Sequence, residues 1–485
     1  MDQGLGKGET DDIPLVKPPA HVHLMGICGT AMASLAGMFH ESGYTVTGSD
    51  QATYPPMSDF LRDLGISVMN GYRAQNLDPV PDLVVVGNVI RRNNPEAVAL
   101  ETLGIPFASM PDALNRYFIG NRIRIVIAGT HGKTTVSAMI AWILYQEGRD
   151  PGFMIGGVPV NFKKNYRLGS GSLFVIEGDE YDTAYFDKSP KLIHYKPDIG
   201  VITSCEFDHA DIYGSLEEIK RQFRIFAELV PSAGNLVAYG GDDTVGEIIA
   251  GCDSPVQKYG FESNMDWTAS VLNDCPEGIK AIIMKDGQEA AAGTLPVFGF
   301  HNVLNAVAAI AATASVGIEP QKAMDALGSF QGVKRRQQIL GDTAGILLID
   351  DFAHHPTAVK VTCDAVRSRY GNRRLIAVFE PRTNTSRRAI FQEAYVHAFL
   401  SADLIVLKEP GDVAGIPEAE RFSSERLARD LRGMGKAARA FDDTDGLLEF
   451  LLNELRTGDV ALTMSNGSFD DLGPRLLASL RELEK

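Results

Sequence analysis

Short runs of Ile, Val and Leu recur along the chain, and most of them end in Gly, Asp, Glu or Lys. Examples are His21–Met25, Tyr44–Thr47, Leu83–Ile90, Arg124–Ala128, Ser172–Ile176 and Ile199–Thr203, followed later by Gly345–Ile349, Leu375–Phe379 and Asp403–Leu407. Between them lie longer Ala-, Leu- and Met-rich segments with helical spacing. A continuous apolar run of strand length reads as a parallel strand buried on both faces, and strands alternating with helices build doubly wound sheets. The pattern therefore predicts an α/β chain of three domains. They are an amino-terminal Rossmann-like domain (21–120), a central phosphate-loop domain (121–330) and a carboxy-terminal Rossmann-like domain (331–485), after a polar tail (1–20). No internal repeat is visible.

The central run carries the clearest chemistry. Arg124–Ala128 leads into Gly129-Thr130-His131-Gly132-Lys133-Thr134-Thr135, a glycine turn that opens a helix. Amides at that helix's N-terminus favour phosphate, Lys133 neutralises phosphate charge, and the Thr134 hydroxyl suits Mg²⁺. The full eight-residue pattern would need glycine where Ile127 stands, so the loop is a shortened variant. A nucleoside triphosphate is the expected ligand.

Other strand ends carry acids. The run to Ile176 ends in Glu177-Gly-Asp-Glu-Tyr-Asp182, and the run to Thr203 ends in Cys205-Glu-Phe-Asp-His-Ala-Asp211. Open α/β sheets bind ligands at the carboxyl ends of their strands, and hard oxygens with a histidine suit Mg²⁺ and phosphoryl chemistry. In the first domain Gly26-Ile-Cys-Gly29-Thr30 precedes a helix, and Asp50 ends the following strand. The spacing is Gly-x-x-Gly rather than the dinucleotide fingerprint, a weaker phosphate-loop candidate. Arg91, Arg92, Asn93 and Asn94 could border a ligand there. His301-Asn-Val-Leu-Asn305 starts an Ala-rich helix, and Gln331–Arg336 reads as a linker.

Composition narrows the partners. With 485 residues the chain exceeds one core. Its formal charge of −16 argues against duplex nucleic acid. No apolar run spans a bilayer, and Met1–Asp12 is polar and acidic, so no membrane association and a cytoplasmic location are expected. Five scattered cysteines suggest neither disulfides nor a zinc site. Oligomeric state is left open between monomer and homodimer.

Six segments in order now carry a resemblance: Gly129–Thr135, Glu177-x-Asp-Glu180, Glu206-Phe-Asp-His209, His301-Asn-x-x-Asn305, Lys334-Arg-Arg336 and Asp350-Asp-Phe-Ala-His-His-Pro356. Over residues 21–485 the chain resembles the Mur ligases, ATP-dependent amide-forming enzymes of bacterial peptidoglycan synthesis. Tyr54-Pro-Pro-Met-Ser58, Gly87-Asn88 with Asn94-Pro95, Gly156–Phe162, Glu380-Pro-Arg-x-Asn-Thr385 and Met464-Ser-Asn-Gly467 are similar to one branch. That branch joins UDP-N-acetylmuramate to the murein tripeptide L-alanyl-γ-D-glutamyl-meso-diaminopimelate.

The resemblance implies roles. Lys133, Glu177, His209, Arg336 and Asp351 would be catalytic, with Mg²⁺ held by Thr134, Glu177 and His209. ATP would be bound by Gly129–Thr135, Asn302, Asn305, Arg336 and Asp351. Gly26, Gly29, Thr30 and Asp50 would face the UDP moiety, while Arg382, Asn384, Ser465 and Asn466 are candidates for the peptide. Where some branches carry a carbamylated lysine this chain has Phe223 and Arg224, so no carbamyl-lysine is expected and Glu206 and Asp208 become possible second-metal helpers. Two rival readings are an L-alanine-adding ligase and, from another class, a non-catalytic nucleotide-binding regulator. A nicotinamide dehydrogenase would leave Gly-Lys-Thr-Thr unexplained.

Overall fold

Buried, β-rich runs with helical connections do close into sheets here, three of them. In the computed structural model, residues 13–53, 57–210 and 212–483 are described. Most of the acidic tail, Tyr54–Pro56 of the Tyr-Pro-Pro segment and Asp211 of the second acidic cluster therefore lie outside the described residues.

The first sheet contains β1 (His21–Met25), β2 (Thr45–Asp50), β3 (Ser67–Asn70), β4 (Leu83–Val86) and β5 (Phe107–Ser109), in the order β3-β2-β1-β4-β5. All its pairings are parallel. Chain order reverses beside β1, so a crevice opens at its carboxyl end, where Gly26 begins the turn into the helix Thr30–Glu41. Val22, Leu24, Met38 and Phe39 pack in the core below.

The apolar run through Ile90 was expected to be one strand, but β4 stops at Val86. The Gly87 amide donates to Met25 O at 3.0 Å and the chain turns, burying Ile90 and exposing Val89. Burial of Ile90 in a turn gives the same apolar signal as burial in a strand.

The central sheet has ten strands in the order β15-β14-β13-β12-β11-β10-β6-β9-β7-β8. They are β6 (Ile123–Ala128), β7 (Gly152–Met154), β8 (Tyr166–Arg167), β9 (Leu173–Glu177), β10 (Ile199–Ile202), β11 (Asn235–Tyr239), β12 (Val256–Gly260), β13 (Trp267–Cys275), β14 (Gly278–Lys285) and β15 (Gln288–Leu295). The parallel part has β6 between β9 and β10, again a switch point. The antiparallel extension β13–β15 was not among the runs read above; β15 is Ala-, Gly- and Thr-rich, whereas β14 carries Ile279, Ile282, Ile283 and Met284. The Ala-rich helix Phe300–Ala314 lies in the same core as the helix Lys133–Gln146. Small side chains let the two helices approach closely, and Trp142 ties the latter to the helix Pro320–Leu327 by donating Nε1–H to Ala326 O at 3.1 Å.

The third sheet runs β16-β17-β21-β18-β19-β20. Its strands are β16 (Gln338–Thr343), β17 (Ile346–Asp351), β18 (Leu375–Phe379), β19 (Leu404–Lys408), β20 (Ala437–Phe441) and β21 (Val460–Met464). Only β16, which begins just beyond the segment read as a linker, is antiparallel. Both faces are covered by apolar clusters, as a parallel sheet requires. Residues 332–334 meanwhile pair with 158–160 of the central unit, through Val160 N to Gly332 O at 3.0 Å and Lys334 N to Val158 O at 2.9 Å. No described helix is long and apolar enough to cross a membrane.

Candidate active site

Three loops meet at the carboxyl ends of β6, β9 and β10. Gly129 has φ 138°, and a Cβ there would lie 2.0 Å from Thr203 Oγ1, so the loop can approach β10 only with glycine. Gly132 has φ 82° and caps the helix Lys133–Gln146. Thr130 ties the loop to the next one, its hydroxyl donating to Glu206 O at 3.2 Å and accepting from Glu206 N at 2.9 Å. His131 N donates to Ser204 Oγ at 2.9 Å, and Thr135 is half-buried in the helix's first turn.

Lys133 sends its ammonium to Glu180, at 2.9 and 2.8 Å from the two carboxylate oxygens, and to Gly129 O. Burial disfavours the ammonium, but Glu180 and then Glu177 overcome it and hold Lys133 above its ordinary pKa. Burial also pushes the Glu180 carboxyl up, and Lys133 opposes that. Thr134 donates to Glu177 Oε1 at 2.9 Å, and Gly156 N donates to Glu177 Oε2 at 2.7 Å. This pair of hard oxygens on one small volume is a donor set that fits Mg²⁺.

His209 lies beyond that pair. Its backbone has φ 55°, and its ring packs edge-on against Tyr181 at 4.3 Å. Asp179 is pushed up by burial yet held at about 2 by Lys191, 2.9 Å away, and then by Lys133 and His209. Of the two possible second-metal helpers, Asp208 faces His354 at 3.8 Å, whereas Glu206 turns toward His131 and His355. Phe223, at the position where a lysine was considered, is fully buried on the helix Leu216–Glu228. Its burial stabilises the helix packing by about 1.5–3 kcal/mol and leaves no amine there.

Residues far along the chain complete the site. Arg336 reaches Thr134 Oγ1 with Nη2 at 3.4 Å and stacks on Phe352 at 4.9 Å. Asp351, at the end of β17, is 4 % exposed and accepts from Gln337 N and Ala353 N, each at 2.7 Å. Burial raises its carboxyl and Arg336 pulls it back. Asn302 donates to Gln337 Oε1 at 3.2 Å, and Asn305 donates to Asn302 Oδ1 at 3.0 Å. Asn305 Oδ1 also lies 2.8 Å from where a Cβ on Gly132 would stand, placing both asparagines against the phosphate loop.

The two remaining groups form separate ends. In the first domain Asp50 Oδ2 accepts from Cys28 N at 2.9 Å, and Gly26 N donates to Ser49 O at 2.8 Å, so Asp50 braces the glycine turn. Gly29 and Thr30 are exposed at the helix start. In the third sheet Ser465 donates to Glu380 Oε2 at 2.6 Å, and Glu380 accepts from Lys408 at 3.2 Å. Arg382 lies over Gly467, and Asn384 accepts from Arg387 Nη2 at 2.6 Å. Asn466 has a buried Oδ1 with no hydrogen-bond partner among the described residues. The sequence reading missed Glu180 as the partner of Lys133, Lys408 on Glu380, and His355. Each lay in a quoted or neighbouring segment, but pairing across segments left no local signal.

A phosphate loop at one switch point, met by Arg336 from beyond the central unit and flanked by two further α/β sheets, defines a three-domain phosphate-loop protein. Comparison with known proteins gives its place among them. The Mur ligase family catalytic domain matches residues 21–121, the Mur ligase middle domain 127–313 and the Mur ligase glutamate ligase domain 335–467. The chain is 39% identical over 461 residues to the Escherichia coli UDP-N-acetylmuramate–L-alanyl-γ-D-glutamyl-meso-2,6-diaminoheptandioate ligase, covering 95% of this chain and 98% of that one. A UDP-N-acetylmuramate–L-alanine ligase of Lachnoclostridium phytofermentans is 32% identical, over 95% of this chain and 98% of the relative. The crystal structure of a murein peptide ligase from Psychrobacter arcticus superposes with TM-score 0.72 at 34% identity, covering 95% and 99% of the two chains. The chain belongs to the Mur ligase family.

Proposed function

We propose that this ligase joins UDP-N-acetylmuramate to L-alanyl-γ-D-glutamyl-meso-diaminopimelate at the expense of ATP, in peptidoglycan recycling. The observation that carries the ATP-driven step is the contact of Arg336 with Thr134, which brings a cation from the third unit onto the phosphate loop. The lactyl carboxylate attacks the γ-phosphorus, ADP leaves and an acyl phosphate forms. The peptide amine then attacks the acyl carbon, phosphate leaves and the amine proton is lost. Carboxylate and polyanion repel, by about 4 kcal/mol for unit charges 4 Å apart at intermediate dielectric, so cationic groups must offset this. Lys133 and Arg336 supply positive charge from opposite sides. Mg²⁺ held by Thr134 and Glu177, with His209 alongside, would add the rest.

Closure between units keeps water from the acyl phosphate. Gly26, Gly29, Thr30 and Asp50 receive the UDP moiety, and Asn302, Asn305 and Asp351 the nucleotide side of the loop. Arg382, Asn384, Ser465 and Asn466 receive the peptide. Relatives bearing the tripeptide name are 39% and 36% identical to this chain, against 31% to 34% for those named as L-alanine ligases, which supports tripeptide as the amine. The test is ADP release from ATP, Mg²⁺ and UDP-N-acetylmuramate with either amine. Release driven by tripeptide is expected; release with L-alanine alone would move the chain to the other branch, and none with either would favour a regulator.

A further inference from the structure

His131, Glu206 and His355 come from the phosphate loop, the loop after β10 and the turn before the helix Pro356–Arg369. Their ligand atoms all lie within 4.8 Å of one another. His355 Nε2 is 3.3 Å from Phe207 O, which has no proton to give, so the ring proton sits on Nε2. Nδ1 then carries a lone pair, and it accepts the Thr357 amide at 3.3 Å. The same Nδ1 faces Glu206 Oε2 at 3.4 Å, an oxygen that also accepts the Thr357 hydroxyl at 2.6 Å. The amide contact is long and weak, so an ion facing both atoms can displace that N–H and take the lone pair.

The third atom supplies the geometry. His131 Nε2 is also 3.4 Å from Glu206 Oε2. Ligand atoms on a tetrahedron with bonds of about 2.1 Å are about 3.4 Å apart, which is the spacing seen on both measured edges. The outer contacts fit as well, since a ligating histidine normally donates its other N–H to a carbonyl or carboxylate, as His355 does to Phe207 O. Two imidazoles and one carboxylate prefer zinc-like ions to Mg²⁺.

We propose that His131, Glu206 and His355 bind a zinc-like divalent cation, separate from the Mg²⁺ of phosphoryl transfer, which clasps the third unit to the phosphate loop. The ligands lie at 131, 206 and 355, so the ion binds only when these segments are together and holds them there by mass action.

The probe is Co²⁺, titrated into the full metal-stripped chain in excess Mg²⁺ and without nucleotide, and followed by visible absorption. One Co²⁺ per chain with the intense spectrum of four or five coordination is expected, together with a rise in the thermal midpoint. His355→Ala and Glu206→Gln should each weaken it at least about tenfold, because even outer contacts of a metal site are worth that. His354→Ala should leave it intact. A weak six-coordinate spectrum, or binding that survives both His355→Ala and Glu206→Gln, overturns the proposal. The rival, a plain hydrogen bond from His131 to Glu206, binds no Co²⁺ at all. If His355→Ala fails to fold, Glu206→Gln, which preserves shape, decides alone. None of these readouts uses ligase activity.

Discussion

Lys133 Nζ sits 2.8 Å from Glu180 Oε2, so the cation proposed to meet phosphate is already neutralised by a buried carboxylate. Their side chains are 12% and 4% exposed. In the proposed function an incoming triphosphate replaces that carboxylate as the partner of Lys133. Glu180→Gln leaves the ammonium buried without its counter-charge, at a cost of about 3–5 kcal/mol. The expected outcome is a lower thermal midpoint without nucleotide and a larger rise on adding ATP·Mg²⁺ than the unaltered chain shows. Equal midpoints in scanning calorimetry would mean the pair contributes nothing.

Arg382 lies against Gly467, at the carboxyl end of the third sheet where Asp351 also stands. Arg382→Ala should raise the apparent KM for tripeptide and leave that for ATP unchanged. Losing one charge-assisted hydrogen bond to a carboxylate corresponds to about 1.5–3 kcal/mol, or roughly ten- to a hundredfold in KM. Steady-state ADP formation measures both, and an equal effect on the two would remove Arg382 from the peptide site.

A second contact between units is made by Arg369. Arg369, on the helix Pro356–Arg369, donates to Asp274 Oδ1 at 2.7 Å and to the carbonyls of Cys275 and Pro276, and packs 5.0 Å from the Phe298 ring. Arg369→Ala should loosen the closed arrangement without unfolding either unit, since hydrogen bonds to a charged group contribute about 1.5–3 kcal/mol each. Small-angle scattering should then give a larger radius of gyration, and turnover should fall by about tenfold. An unchanged radius would show that Arg336 and its neighbours suffice to hold the units together.

His194 joins the first unit to the second. It faces Asp187 at 3.1 Å and Asp112, on the first unit's helix Met110–Leu114, at 3.3 Å. Burial opposes its charge, but the two carboxylates win and raise it from 6.5 to about 9. A raised histidine stabilises the fold fully below its unfolded value and loses that contribution as pH climbs through the folded value. Stability should therefore fall between 6.5 and about 9, by roughly 3 kcal/mol at most, and His194→Gln should flatten that part of the profile. Denaturant midpoints measured across the range check it; a parallel fall in the variant would assign the loss elsewhere.

Much of this was legible in single segments. Gly129, Gly132, Lys133 and Thr134 act through one turn and the helix that follows it, so spacing alone conveys their geometry. Glu177 and Asp351 were readable for the same reason, each ending a buried apolar strand where ligands gather. The run through Ile90 misled because burial in a turn looks like burial in a strand, and β15 went unread because its alternation is carried by Ala, Gly and Thr.

The sequence by itself determined the α/β class, the phosphate loop, the acidic strand ends and the family, because each is written in contiguous residues whose local conformation follows from their own side chains. Only the tertiary structure decided that Glu180 neutralises Lys133, that Arg336 reaches Thr134, and that Glu206 turns to His131 and His355 rather than to His209. Those pairings join residues up to 202 positions apart. They depend on how the sheets pack, and packing arises from the summed burial of many side chains rather than from any one segment.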